Sequence, residues 1–233
     1  YRESYCATTS GPYTASPLAT PTSLTVSATT YPVTIGAGGP SATSGTNSVF
    51  STITSAGGGA GGDWNGQNGC SGGSGGGGGP KGTAGISVGE QSLGGTGNTP
   101  PVSPSQGNNG GSNPDAPTET NPAAGGGGGG ARAAGLGLLS NTRGGAGGAG
   151  VETYITGSSS RLAGGGGGIN PFSISGQPDN LSRTAQYGGG NGEQPSSPGG
   201  NGSGNTGGGA GGAWNGGGYS GGSGIVIIRY KFQ

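Results

Sequence analysis

The chain has 233 residues, 67 of them glycine, and its eight basic side chains balance eight acidic ones. Leu, Ile, Val and Phe number only 8, 9, 7 and 3, so an ordinary hydrophobic core is out of reach for a class of domain that is usually about half apolar. Zero net charge withholds the basic footprint that nucleic acid requires, and no stretch approaches the ~20 apolar residues of a membrane-spanning helix.

Residues 1–56 read differently from the remainder. Leu24-Thr25-Val26 and Tyr31-Pro32-Val33-Thr34-Ile35 alternate apolar with small polar residues, the strand period. Pro32 sets its strand at an edge or a start. Gly36–Pro40 interrupts, and Ser48-Val49-Phe50-Ser51-Thr52-Ile53-Thr54 resumes strand character, which predicts a β-hairpin with a long Ser/Gly/Asn loop. From Gly57 onward, glycine-rich segments at 57–62, 72–79, 125–130, 144–150, 164–168, 188–192, 199–204, 207–212 and 216–224 alternate with Pro/Asn/Ser-rich connectors. The connectors 98–122 and 169–198 are long and proline-bearing, which rules out helices and central strands there. Val151–Thr156 reads as a short strand. Ile225–Phe232 is the strongest strand of the sequence, with Val226, Ile228, Tyr230 and Phe232 sharing one face. Ala131–Leu139 is the only helical candidate, and Gly135 and Gly137 undercut it.

One internal repeat stands out. Gly57-Gly58-Gly59-Ala60-Gly61-Gly62-Asp63-Trp64-Asn65-Gly66 recurs as Gly207–Gly216, with Ala213 in place of Asp63 as the sole difference. Both tryptophans lie in it, so Trp64 and Trp214 are predicted to cap the ends of glycine segments. The two cysteines, Cys6 and Cys70, have no metal-ligand company. A bridge closing a loop of roughly 64 residues would stabilise by about 4 kcal/mol on the chain-entropy model. A disulfide is therefore expected of an extracellular chain, and two free thiols of one assembled in a reducing cytosol.

Catalytic chemistry finds little support. The chain has no histidine, the commonest general base and metal ligand. Gly75–Thr83 imitates a phosphate-binding loop, but Pro80 precedes Lys81 and Gly82 follows it, which breaks the required pattern. Asp115 and Glu119 sit in a Pro-rich connector that neither buries nor orients them as an acid–base pair. No cofactor and no metal cluster is expected. The chain also lacks methionine, so Tyr1 reads as the start of a processed or partial product.

Physical chemistry narrows what glycine runs can do. Collagen needs glycine at every third residue, and silk-like sheets need sustained Gly-Ala or Gly-Ser alternation; neither pattern is present. The remaining ordered state is the extended left-handed helix with three residues per turn and ~3.1 Å per residue, here in its polyglycine form. It has no internal hydrogen bonds, so its N–H and C=O groups point outward to neighbours. Fixing each backbone costs about 1–2 kcal/mol and a net hydrogen bond returns ~1 kcal/mol, so a single run stays flexible and only a lattice of them can order. A run of about six residues spans roughly 19 Å.

Glycine runs separated by polar loops resemble the receptor-binding adhesins at the tips of T-even-like phage tail fibres. Tyr31–Gly39 followed by Asn47-Ser48-Val49-Phe50, and the closing Gly221–Tyr230, look like segments recurrent in glycine-rich proteins of phages and marine bacteria. The resemblance implies a sandwich of polyglycine-II helices whose distal loops recognise a host surface receptor.

The expected fold is thus mainly irregular and all-β: a bundle or sandwich of polyglycine-II helices with a few flanking strands, including 225–232, and essentially no α-helix. Residues 1–56 would form a hairpin-containing N-terminal region, 57–224 the glycine-rich region with polar loops, and 225–233 a closing strand, all in one compact unit. The leading function is a non-enzymatic adhesin of a virion or cell-surface appendage, extracellular or on the virion surface. Candidate receptor contacts are Asn113, Asp115, Glu119, Phe172, Asn180, Arg183 and Tyr187. Its partners would be a host surface glycan or outer-membrane protein, copies of itself or other appendage subunits, with no nucleic acid and no membrane insertion. The second reading is a self-assembling subunit of an extracellular filament or matrix, because an apolar strand edge seeks a partner. An ice-binding protein is a remote third, for want of regular Gly-x-x repeats.

Overall fold

A computed structural model describes residues 1–63, 66–80, 91–113, 124–138, 143–171, 184–195, 197–213 and 218–231. Regular secondary structure is sparse. Among the described residues it comprises β1 (Glu3–Ser4), a single helical turn α1 (Ala7–Ser10), β2 (Ala19–Thr20), β3 (Val33–Thr34), β4 (Ser48–Phe50), β5 (Ile53–Ser55), β6 (Val151–Thr153) and β7 (Ser160–Leu162). They form three small sheets: β1 with β2 in parallel, the antiparallel order β3-β4-β5, and the hairpin β6-β7. The fold is mainly irregular and all-β, with almost no helix.

The glycine runs do the joining, by lateral hydrogen bonds with a period of three. Run 124–131 displays the rule most fully. Gly125, Gly128 and Ala131 donate to Ile169, Gly166 and Ala163; Gly126 and Gly129 donate to Gly78 and Gly75; Gly127 and Gly130 donate to Leu136 and Ala133, all at 2.8–3.1 Å. Three successive amides thus serve three different neighbours, and the fourth returns to the first. Only a backbone turning about 120° per residue does this, which is the extended threefold helix. Run 163–170 repeats the scheme: Gly165 and Gly168 bond Gly148 and Gly145, while Gly164, Gly167 and Asn170 bond Tyr187, Gly190 and Glu193.

Such spacing leaves no room for side chains between runs. A Cβ at Gly76 would stand 1.9 Å from the Ala60 carbonyl oxygen, and one at Gly165 would stand 2.0 Å from that of Gly128. The Cα–H groups instead rest on carbonyl oxygens, the weak contact also found between adjacent strands.

Where side chains do occur, they continue the lattice. Asn47 and Ser44 accept from the amides of Gly57 and Ala60; Asn68 and Ser71 accept from Leu93 and Thr96; Asn109 and Ser112 accept from Gly97 and Gly94. Each pair is three residues apart, because residues i and i+3 share a face of a threefold helix. A short polar side chain thereby stands in for a backbone acceptor.

Several expectations change. The predicted strand 48–54 is a hairpin: β4 turns at Ser51, with φ of 52°, into β5, and pairs β3 on its other side through Val33↔Phe50 and Thr34↔Val49. Leu24-Thr25-Val26 joins no sheet, and the lateral bonding begins at Gly36 rather than 57, through Gly224 to Gly36 and Gly221 to Gly39. The predicted strand 225–232 forms no ladder over its described residues 225–231; Ile228 and Tyr230 are 54% and 75% exposed. It is held by Arg229, which donates to the carbonyls of Ser10, Ile155 and Pro12 and lies 5.2 Å from the Tyr13 ring centroid. The apolar core proper is small: Ala131, Val151 and Leu162, backed by Tyr1, Leu18 and Ala163.

The contrast between occupied and open glycine positions gives a direct test. At Gly61 a Cβ would meet nothing closer than the Gly77 carbonyl oxygen at 3.7 Å. Gly76→Ala should destabilise by about 3 kcal/mol, the upper range for overpacking, whereas Gly61→Ala should leave stability within ~0.5 kcal/mol. Thermal unfolding of the two variants beside the parent measures this; equal melting temperatures would contradict the close backbone packing.

Candidate functional site

The hydrogen bonds sort the described flanks of the connectors onto two opposite ends of the lattice. At one end Gly79, Ser92, Asn113 and Ala124 are bonded together, as are Gly125 with Ile169, Gly144 with Asn170, Asn170 with Glu193, and Glu193 with Gly212. These residues flank the connectors 81–90, 114–123 and 172–183. At the other end Tyr1 bonds Gln106, Ala56 bonds Gln106, Asn108 bonds Gly130, and Ala163 bonds Thr206. The alternation follows from the runs themselves: each is about as long as its neighbours, so every reversal of direction falls at one edge or the other.

The end that carries Tyr1 is braced by a buried carboxylate. Glu3 accepts from Tyr1 Oη at 2.6 Å, Ser16 N at 3.0 Å, Thr153 Oγ1 at 2.9 Å and Tyr13 Oη at 3.1 Å. Burial, reinforced by the Glu3 hydrogen bond, pushes the Tyr1 phenol well above its ordinary range; burial first and the Glu3 charge second do the same to Tyr13. Beside it, loop 98–106 is tied down from within. Asn98 Oδ1 accepts from the amides of Val102 and Gln106, and its Nδ2 donates to the Val102 carbonyl. Gln106, 1% exposed, donates to Pro100 and accepts from Ala56. Thr99, Pro100, Pro101 and Ser103 are exposed on this fixed frame. Next to it, Glu152 pairs with Arg161 at 3.8 Å and Arg161 lies 5.8 Å from the Tyr187 ring centroid.

The predicted site residues divide accordingly. Asp115, Glu119, Phe172, Asn180, Arg183, Trp64 and Trp214 lie outside the described residues. Tyr187, half-buried, belongs to the Arg161 cluster at the Tyr1 end. Asn113, expected to touch a receptor, is fully buried: its Nδ2 donates to the carbonyls of Gly79 and Ala124, so it closes the ends of two runs. The glycine runs of the tryptophan repeat do take equivalent places. Gly59 and Gly62 donate to Ser74 and Gly77, and their counterparts Gly209 and Gly212 donate to Gly164 and Gly167.

The expected Cys6–Cys70 bridge does not form; both thiols are free. Cys6 begins the helical turn at the Tyr1 end, where its Sγ lies 3.0 Å from Thr8 Oγ1, while the amide and carbonyl of Cys70 engage Ala60 and Gly76 within the lattice. Lattice pairing, which the even cysteine count does not encode, fixes the two far apart. Hydrogen bonds from the Thr8 hydroxyl first and Thr9 next lower the Cys6 thiol to about 7. Glu3, Asn98, Gln106 and Arg229 escaped the sequence reading. The one available signal was Asn or Ser at i, i+3, which marks lattice edges and not these braces.

Residues 8–231 match the family model of the glycine-rich domain. The chain belongs to that family. No curated protein and no solved structure matches it. Membership in a glycine-rich domain, with the backbone lattice just described, makes this a structural protein.

Two measurements follow. Asn98→Ala removes three bonds from loop 98–106 and should cost about 1–3 kcal/mol while raising amide exchange at Val102 and Gln106; unchanged exchange there would show that the loop is held otherwise. For Cys6, the thiolate predominates above its lowered value, so its alkylation rate should reach half its maximum near pH 7 in the Cys70→Ser variant. A midpoint above pH 8 would remove the hydroxyl's role.

Proposed function

We propose that this glycine-rich protein is a non-enzymatic adhesive element of a virion or cell-surface appendage, a receptor-binding tip of the tail-fibre adhesin kind. The observation that carries this reading is the polarity of the lattice. Flanking residues of the connectors 81–90, 114–123 and 172–183 gather at one end, and the Glu3 and Arg229 braces, with the apolar core, gather at the other. An adhesin needs this division: a joined base, a stiff spacer, and a far edge where sequence can vary without disturbing the fold. Loops on a rigid scaffold are also where binding residues concentrate. The aromatic, amide and guanidinium side chains of 172–183, Phe172, Asn180 and Arg183 among them, suit a surface glycan or an outer-membrane protein loop.

A second reading, a self-assembling filament subunit, draws on the exposed apolar residues Ile225, Ile228 and Tyr230 of the segment that follows the last glycine run. Negative-stain micrographs separate the two: discrete particles favour the adhesin, long uniform fibres the filament. The adhesin reading further predicts that Phe172→Ala and Arg183→Ala lower attachment of the labelled protein to bacterial outer-membrane vesicles at least several-fold, with the melting temperature of the parent. Equal attachment by parent and variants across a panel of vesicles would overturn it.

A further inference from the structure

The lattice surrounds a partly open cavity. Run 57–62 bonds 74–79, which bonds 124–131, then 163–170, then 206–212, then 220–224, then 36–39, then 44–47, and the Gly45 amide on the Gly58 carbonyl closes the ring. Within it lies a volume of about 820 Å³, in the range of small-ligand sites.

The walls of this cavity carry backbone groups with no partner among the described residues. Among them are the amides of Gly58 and Gly61, of Ser74 and Gly77, of Gly166 and Ile169, and of Ala210, all of which line it. Each pair is three residues apart and so lies along one donor row of a threefold helix; the rows through Gly166 and Ala210 are open only past Ala163 and Gly207, whose amides bond Thr206 and Ser223. Gly77, Gly166 and Ile169 are buried. The carbonyls of Gly126 and Gly129, again three apart and on the same wall, accept nothing among the described residues. Buried main-chain groups are nearly always paired in native proteins. Steric room agrees with this: at Gly127 and Gly129 a Cβ would fall 2.0 Å from a carbonyl oxygen, but at Gly128, between them and lining the cavity, nothing is nearer than the Gly166 nitrogen at 3.4 Å.

We infer that this cavity binds an extended glycine-rich segment of a partner polypeptide, which joins the lattice as one more threefold helix. The occupant must present acceptors and donors at a repeat of three residues, ~9 Å, to answer both the amide rows and the carbonyl row. To bond these rows directly it must come as close as the runs come to one another, which leaves no room for side chains on the faces that meet them. An apolar ligand would leave the amides unpaired. A glycine run satisfies every condition, and the inference is independent of the loops on which the adhesin reading rests.

Amide exchange followed by NMR on the full chain tests it, with a synthetic peptide of roughly six glycines flanked by lysines as the probe. The amides of Gly77, Gly166 and Ile169 should exchange readily in the free protein and slow at least tenfold on titration. An otherwise identical alanine peptide should have no effect. Gly128→Val, whose side chain enters the cavity, and Gly61→Leu at its rim should each abolish the protection while keeping the parent's melting temperature. Protection already present in the free chain, protection that grows with protein concentration alone, or equal protection by the alanine peptide would each overturn the inference. The attachment of the protein to vesicles is unaffected by any of these outcomes, so the two proposals fail separately.

Discussion

Everything in this fold depends on a hydrogen bond between two backbones that have nothing between them. The extended threefold helix satisfies none of its own amides, so each run is unstable alone and must find acceptors on neighbours. Turning about 120° per residue, it sends them in three directions. A run such as 124–131 therefore needs several partners at once, and ordering is a property of the set. Glycine follows as a necessity: carbonyl oxygens occupy the places where side chains would begin, as at Gly76 and Gly165. Usual core residues are displaced to the margins, with Ala131, Val151 and Leu162 forming a small cluster beside β6 and β7.

The same constraint polarises the molecule. Runs of similar length can reverse only at their ends, so the described flanks of the connectors separate onto two faces without any sequence signal that says which. One face became a base. There a carboxylate with four donors, an arginine spanning three carbonyls and an asparagine-pinned proline loop replace the lattice bonding that stops at the run ends. The other face holds the described flanks of connectors 81–90, 114–123 and 172–183.

The reading of 225–232 as a core strand illustrates where periodicity misleads. Alternating Val226, Ile228 and Tyr230 fit a half-buried sheet, yet a strand needs another strand at its side, and none of β1–β7 pairs with residues 225–231. The segment runs beside Ser10, Pro12 and Ile155 instead, held by its arginine. The cysteine pair misled for a related reason: counting residues between Cys6 and Cys70 says nothing about which runs become neighbours.

The sequence by itself determined that there would be no ordinary core, almost no helix, and a glycine lattice interrupted by polar loops, because composition limits what a chain can bury and consecutive glycines leave only main-chain bonding. It also carried the Asn/Ser pairs at i, i+3 and the equivalent placing of runs 57–62 and 207–212, since both follow from local repeat. What only the tertiary structure decided is the order in which runs adjoin, and with it the separation of the cysteines, the burial of Asn113, the Glu3 and Arg229 braces and the cavity that the runs surround. Glycine runs are chemically alike, so nothing local tells one which neighbour to choose. That choice is made by loop length and by the sum of lateral bonds, and it exists only once the whole set has assembled.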